Sequence, residues 1–169
     1  MKLGKLMVFL TLFPSISGSS EYLRVIYPDA VIEKRADRVL IRQRSDLSRR
    51  IEQFALQHGA STTMAPEIAE LLEGLEHGPL LAAIAAHESR FDCSALGKAG
   101  ELGAYQVQPG IWGDPGTSFY SQTDNAISIL QELLESSGGD IGGALEHYNG
   151  KGLKARKYAS RVLRLANSI

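Results

Sequence analysis

The sequence predicts an α+β fold that is predominantly α-helical, with a small β region. Two observations carry this. After residue 46, apolar residues recur at i, i+3, i+4, i+7 in one segment after another, the period of helices with one buried face. Between Gly97 and Pro115, glycines interrupt any such period, and Tyr105-Gln106-Val107-Gln108 is the best strand candidate. With 169 residues and 44% hydrophobic content, the chain suits one compact domain with a real core and a short extra segment.

The first predicted helix runs over 46–58 and puts Leu47, Ile51, Phe54 and Ala55 on one face. The second, over 66–76, aligns Ile68, Leu71, Leu72 and Leu75. Gly78-Pro79 stops it, and Pro79 suits the first position of a third helix reaching about Ser89. A fourth, over 124–135, carries Ala126, Ile127, Leu130, Leu133 and Leu134. Asp140 can cap a short helix that ends at Asn149-Gly150. From about Lys154 a last helix groups Tyr158, Val162, Leu165, Ala166 and Ile169.

The N-terminal third is read more coarsely. Lys2 and Lys5 precede an apolar run from Leu6 to Phe13, and small residues follow at Ser15, Ser17 and Gly18. That order is expected of a secretory signal over 1–18, cleaved after Ser17 or Gly18, though a buried N-terminal strand or helix has the same composition. The run is far short of the roughly 20 residues that span a bilayer, so no stable membrane span is expected. Val25-Ile26-Tyr27 and Ala30-Val31-Ile32 read as short strands around Pro28-Asp29 or as irregular turns. Basic residues crowd from Lys34 to Arg50 and acidic ones from Glu67 to Asp92, which is read as two solvated helix faces. Residues 19–60 are accordingly expected to form a helical, arginine-rich extension, and 61–169 the main domain. An arginine stripe facing an anionic envelope surface is the alternative.

Composition excludes several functions. The formal net charge is -1, without the basic footprint of a nucleic-acid binder. Cys93 is the only cysteine, so neither an intramolecular disulfide nor a cysteine-rich metal site is available. No metal or other cofactor is expected. His87-Glu88 is not a zinc-protease motif, because Phe91 stands where the second histidine belongs.

One residue breaks the helical pattern. In the third helix the series Leu81, Ile84, Ala85 continues to Glu88, which delivers a carboxylate to the buried face at the helix C-terminus. Burial and the negative end of the helix dipole both favour the protonated form, which suits a general acid. A structural ion pair with Arg90 or another arginine fits the same position, and periodicity does not separate the two readings.

Three motifs do. Glu88-Ser89-Arg90-Phe91-Asp92 matches the pattern Glu-Ser-x-aromatic-Asp/Asn at the end of an apolar helix. Ala99-Gly100-Glu101-Leu102-Gly103-Ala104-Tyr105-Gln106 matches Gly-x-x-Gly-Leu-Met-Gln, and Ala144-Leu145-Glu146-His147-Tyr148-Asn149-Gly150 matches Ala-x-x-x-Tyr-Asn-x-Gly. In this order and spacing, the stretch from Pro79 to about Leu165 resembles the catalytic domain of the soluble lytic transglycosylases, which is related to goose-type lysozyme. The resemblance implies a lysozyme-like fold over 61–169 and an exported enzyme of the periplasm or cell envelope that acts on peptidoglycan. Glu88 would be its catalytic acid and base. Tyr105 and Gln106 would line the sugar subsites, Tyr148 would bring its hydroxyl near the Glu88 carboxyl, and Asn149 would shape the same wall. Service to an envelope-spanning secretion, conjugation or phage assembly is compatible with it. Cys93, Gly97, Ala104-Tyr105 and His147 depart from the family's more usual proline, serine, Leu-Met and alanine.

The implied chemistry uses one protein carboxyl. Glu88 protonates the oxygen between N-acetylmuramic acid and N-acetylglucosamine, then takes a proton from the muramyl 6-hydroxyl as a 1,6-anhydro ring closes. A hydrolase of the goose-type lysozyme kind would need a second carboxylate to hold water, for which Asp92 and Asp114 are the candidates. A non-catalytic glycan-binding groove is the third reading.

Overall fold

The computed structural model describes residues 44–169 in full and the backbone of segments 8–11, 30–35 and 38–43. The chain divides into two compact units, 1–49 and 50–169.

In the first unit three strands, β1 (Val8–Thr11), β2 (Ala30–Arg35) and β3 (Arg38–Gln43), form an antiparallel sheet of order β1-β3-β2. β3 is central, with Ile41 opposite both Val8 and Ile32. The sheet corrects the expectation of a helical extension over 19–60, since 30–35 and 38–43 are strands and helix begins only at Asp46. The physical reason lies in Val31-Ile32 and Val39-Leu40-Ile41, β-branched runs that prefer the pleated backbone. The helical reading rested on charge density, which carries no period. β1 falls inside the apolar run expected as a leader, while the expected cleavage positions Ser17 and Gly18 and the Val25-Ile26-Tyr27 segment lie outside the described residues.

The second unit is mostly helical, with all but the first turn of helix α1 (Asp46–Gln57), then α2 (Met64–Glu73), α3 (Gly78–Glu88), the single turn α4 (Pro109–Trp112), α5 (Phe119–Ser136), α6 (Ile141–Asn149) and α7 (Leu153–Ala166). Local chemistry explains their ends. The Ser45 hydroxyl accepts from the Ser48 amide at 3.0 Å at the start of α1. Ser118 and Ser121 form a capping box on α5, which begins at Phe119 rather than at the expected 124. Asp140 accepts from the amides of Gly142 and Gly143 to start α6.

Helix α3 is the core. Leu80 through Ala86 are all buried, so it is apolar on every side rather than along one stripe. It packs against α2, α5 and α7, which supply Ile68 and Leu72, Leu130, and Ala155 and Val162 respectively. The alanines of α3 let these neighbours approach closely, and Glu88 is where that apolar column ends.

In 97–115 the expected strand at Tyr105 to Gln108 does not form. Among the described residues there, the backbone makes only isolated bridges, Leu96 with Leu102 and Leu102 with Val107. Positive φ at Gly100, Gly103 and Gln106 keeps turning the chain before a strand can extend. Among the described residues, no helix is long and apolar enough to cross a membrane.

Candidate active site

The cleft forms where α3 stops. Arg90 and Phe91 follow at φ 61° and 66°, so the chain reverses sharply just after Glu88. Both are left-handed positions that non-glycine residues adopt at a cost. Burial of the Phe91 ring, 2% exposed, helps hold the turn in place. Ser89 ties it to the bridged loop. Its hydroxyl donates to the Ala104 carbonyl at 2.9 Å and accepts from the Asp92 amide at 3.0 Å. Ser89 is thus a positioning residue that joins the helix bearing Glu88 to the loop bearing Gln106.

Glu88, Gly97, Lys98, Glu101, Gln106, Gln108, Tyr148 and Asn149 line one polar cleft of about 340 Å³. Gln106, at φ 48°, is held by donation from Nε2 to the Gly103 carbonyl at 3.0 Å. Among the described residues with positive φ, the non-glycines are Arg90, Phe91 and Gln106, two beside the cleft's acid and one in its wall. Local backbone strain of this kind clusters at functional sites in general, which makes this cleft the candidate.

The Glu88 carboxyl is half-buried, and its pKa is pushed up to about 7. Burial is the main cause, opposed by the hydroxyl of Tyr158 and reinforced by the charge of Glu101. Among the described residues Glu88 has no ion-pair partner; Arg90 is exposed and leans on Gly59 instead. The structural ion pair is therefore not what holds Glu88.

Four substrate-site residues were expected, and three reach the cleft: Gln106, Tyr148 and Asn149. Tyr105 does not. Its side chain is fully buried, with the hydroxyl 3.0 Å from Thr123 Oγ1 and the ring against Phe119. The left-handed turn at Gln106 sends the two neighbours to opposite sides, so Tyr105 fills the core beneath the cleft instead of lining it. Its backbone carbonyl still matters, because the Tyr148 hydroxyl donates to it at 2.8 Å.

The Tyr148 hydroxyl is raised by burial and lies near enough to Glu88 to be raised further by its charge, as expected, while that bond fixes where it donates. The ring lies in the cleft wall near Glu88, but its proton is committed to the Tyr105 carbonyl. A second hydroxyl facing Glu88 is that of Tyr158 of α7, which had been given no site role. Tyr158 stacks parallel to Tyr148 with centroids 6.4 Å apart and meets His87 edge-on at 5.2 Å. Its buried hydroxyl steadies the ionised form of Glu88 without closing a hydrogen bond of good geometry. Burial and the Arg161 charge keep His87 below the usual histidine range.

The second residue not foreseen is Glu101. Its carboxylate is held below the ordinary range by its own backbone amide and that of Ala99, the latter bond 2.9 Å long. Gln108 Nε2 adds a contact at 3.3 Å. Gly97 is what makes room, because a Cβ there would collide with the Glu101 carboxylate and the Gln106 amide. The two carboxylates considered beforehand are elsewhere. Asp92 closes a turn on the amide and hydroxyl of Ser94, Asp114 accepts from the Gly116 amide, and neither lines the cleft.

Other groups are set apart from this chemistry. Burial and the nearby Asp92 raise the Cys93 thiol, opposing the thiolate that a nucleophile needs. Trp112 and Tyr120 are not part of the cleft lining. Among the described residues no three His, Cys, Asp or Glu side chains gather closely enough to hold a metal ion. No protein family, curated protein or solved structure was found to match the chain.

Proposed function

We propose that this protein cleaves the glycan strands of peptidoglycan as a lytic transglycosylase with a lysozyme-like catalytic domain. The observation that carries the reading is the Glu88 carboxyl, pushed up to about 7 at the end of an apolar helix in a polar cleft. A carboxyl with that pKa is substantially protonated near neutral pH yet gives and regains its proton readily. The three motifs converge on the same place, Glu88 from the first, Gln106 from the second, Tyr148 and Asn149 from the third.

On this reading a muramyl residue enters with its glycosidic oxygen at Glu88. The carboxyl protonates that oxygen, the bond to C1 breaks, and the substrate's acetamido group steadies the positive centre. Glu88, now ionised, accepts the proton of the muramyl 6-hydroxyl as its oxygen closes on C1. Gln106 and Asn149 offer amide groups to the sugars, and Tyr148 and Tyr158 wall the acid off from bulk water. The protein would work in the periplasm or cell envelope after export, alone or for an envelope-spanning machine.

A hydrolytic outcome has its own support in the Glu101 carboxylate, which lines the same cleft. Incubating the purified protein with peptidoglycan sacculi tests the core of the proposal. Soluble muropeptides with 1,6-anhydromuramic ends are expected in the supernatant; sacculi left intact would refute it.

A further inference from the structure

Glu88 and Glu101 line one cleft from different elements, the end of α3 and the bridged loop. Their surroundings differ in kind. Glu88 is half-buried among apolar side chains and the rings of Tyr148 and Tyr158, whereas Glu101 receives backbone donors and faces solvent. Two carboxyls whose environments push them apart are the arrangement by which one acts as acid while the other stays ionised.

Glu101 is also held still. The Ala99 amide binds Oε2 and Gln108 Nε2 binds Oε1, which fixes the plane of the carboxylate. A carboxylate has about four lone-pair sites, so these bonds leave room for a further donor. A side chain at Gly97 would have to displace this carboxylate and the Gln106 amide from where they lie. Lys98 and Gln106 share that wall, so Glu101 sits among groups that can orient a polar molecule.

From this geometry we infer that the cleft has a second activity, hydrolysis of the same glycan bond, with Glu101 as the base that activates water. The inference rests on the proposed role of Glu88. Both outcomes share the first step, in which the Glu88 proton goes to the leaving oxygen and the C1–O bond breaks with its electron pair on that oxygen. In ring closure the muramyl 6-oxygen then bonds C1 and returns its proton to Glu88. In the hydrolytic branch a water oxygen bonds C1, and the water gives one proton to the Glu101 carboxylate. The product is an ordinary reducing end; Glu101 then releases its proton to solvent while Glu88 regains one.

Mass spectrometry of muropeptides released from sacculi separates the two branches. Wild-type protein should give reducing muramic ends beside 1,6-anhydro ends. Glu101→Gln keeps an acceptor for the Ala99 amide but removes the base. It should cut the ratio of reducing to anhydro ends on the order of 100-fold, the usual contribution of a general base, while anhydro ends are still released. The assay belongs near pH 5, where Glu88 is protonated in both proteins, and circular dichroism with Glu101→Asp as a second variant controls for folding. An unchanged ratio in Glu101→Gln, or a wild type that releases no reducing ends, would overturn the hydrolytic branch alone. Absence of all cleavage by the wild type would instead remove the function proposed for Glu88.

Discussion

Glu88→Gln is expected to release no muropeptides and yet to be more stable than the wild type at pH 8. The activity loss follows from removing the only group that hands a proton to the leaving oxygen; a general acid contributes about 10²–10⁴-fold. The gain in stability follows from linkage. The carboxyl's pKa is about 7 in the folded protein against an ordinary 4.5. Between those values the folded state holds a proton that the unfolded state has released, so stability falls as pH rises through this window. Below about pH 4.5 the carboxyl is protonated in both states and costs nothing. Above pH 7 the folded protein carries a half-buried charge, a penalty of about 2–3 kcal/mol after allowing for partial exposure. A glutamine avoids that penalty. Thermal melts should therefore show the variant several degrees above the wild type at pH 8 and equal to it at pH 4. A variant less stable at pH 8 would mean that Glu88 is structurally needed in its charged form.

Gln122→Ala is expected to cost about 3–5 kcal/mol of stability and to impair cleavage with it. This side chain is 1% exposed, and it joins three separate loops to α5. Its Oε1 accepts from the Ala104 amide at 2.7 Å, and its Nε2 donates to the carbonyls of Cys93 and Gly116, both at 2.9 Å. Each buried group left without a partner costs about 1–3 kcal/mol. Gly103 lies so close, at φ 74°, that a Cβ there would strike the Gln122 amide. Ala104 and Cys93 flank the two loops that carry Gln106 and close the turn after Glu88, so their release would loosen the cleft. Urea unfolding should show a midpoint shift of that size with little change in m. Gln122→Met keeps the volume and removes the bonds, so it should lose nearly as much if hydrogen bonding rather than packing is responsible.

How much of this was legible in the sequence depends on the range of the interaction. Helices α1, α6 and α7 follow from apolar period and end signals, and α3 from its Gly78-Pro79 start and unbroken apolar run, all local properties of the chain. The start of α5 was missed because Ser118 and Ser121 cap it before the apolar stripe begins. Ala30-Val31-Ile32 was legible as a short strand or a turn, whereas β3 was hidden by the density of charge around Val39-Leu40-Ile41. Glu88 was visible as a carboxylate interrupting an apolar period, and Gln106, Tyr148 and Asn149 came from motif resemblance.

What the sequence did not show are facts of direction and of contact across long separations. Tyr105 and Gln106 are neighbours, and only the positive φ of Gln106 decides which one faces the cleft. Tyr148 and Tyr158 lie on consecutive helices, and the packing of α6 on α7 brings both hydroxyls near Glu88. Glu101 stood at a variable position of its motif. Its one signal was Gly97, a departure from the serine more usual in the motif it resembles, and that signal has meaning only once the Glu101 carboxylate is seen to fill the space.

The central claim is that the fold raises the Glu88 carboxyl to about 7, so that it is substantially protonated near neutral pH, in a cleft open to glycan. Titration of that carboxyl by carbon NMR in glutamate-labelled protein, with Glu88→Gln used to assign the signal, tests it most directly. The account predicts a midpoint near 7. A midpoint near the ordinary 4.5 would contradict it.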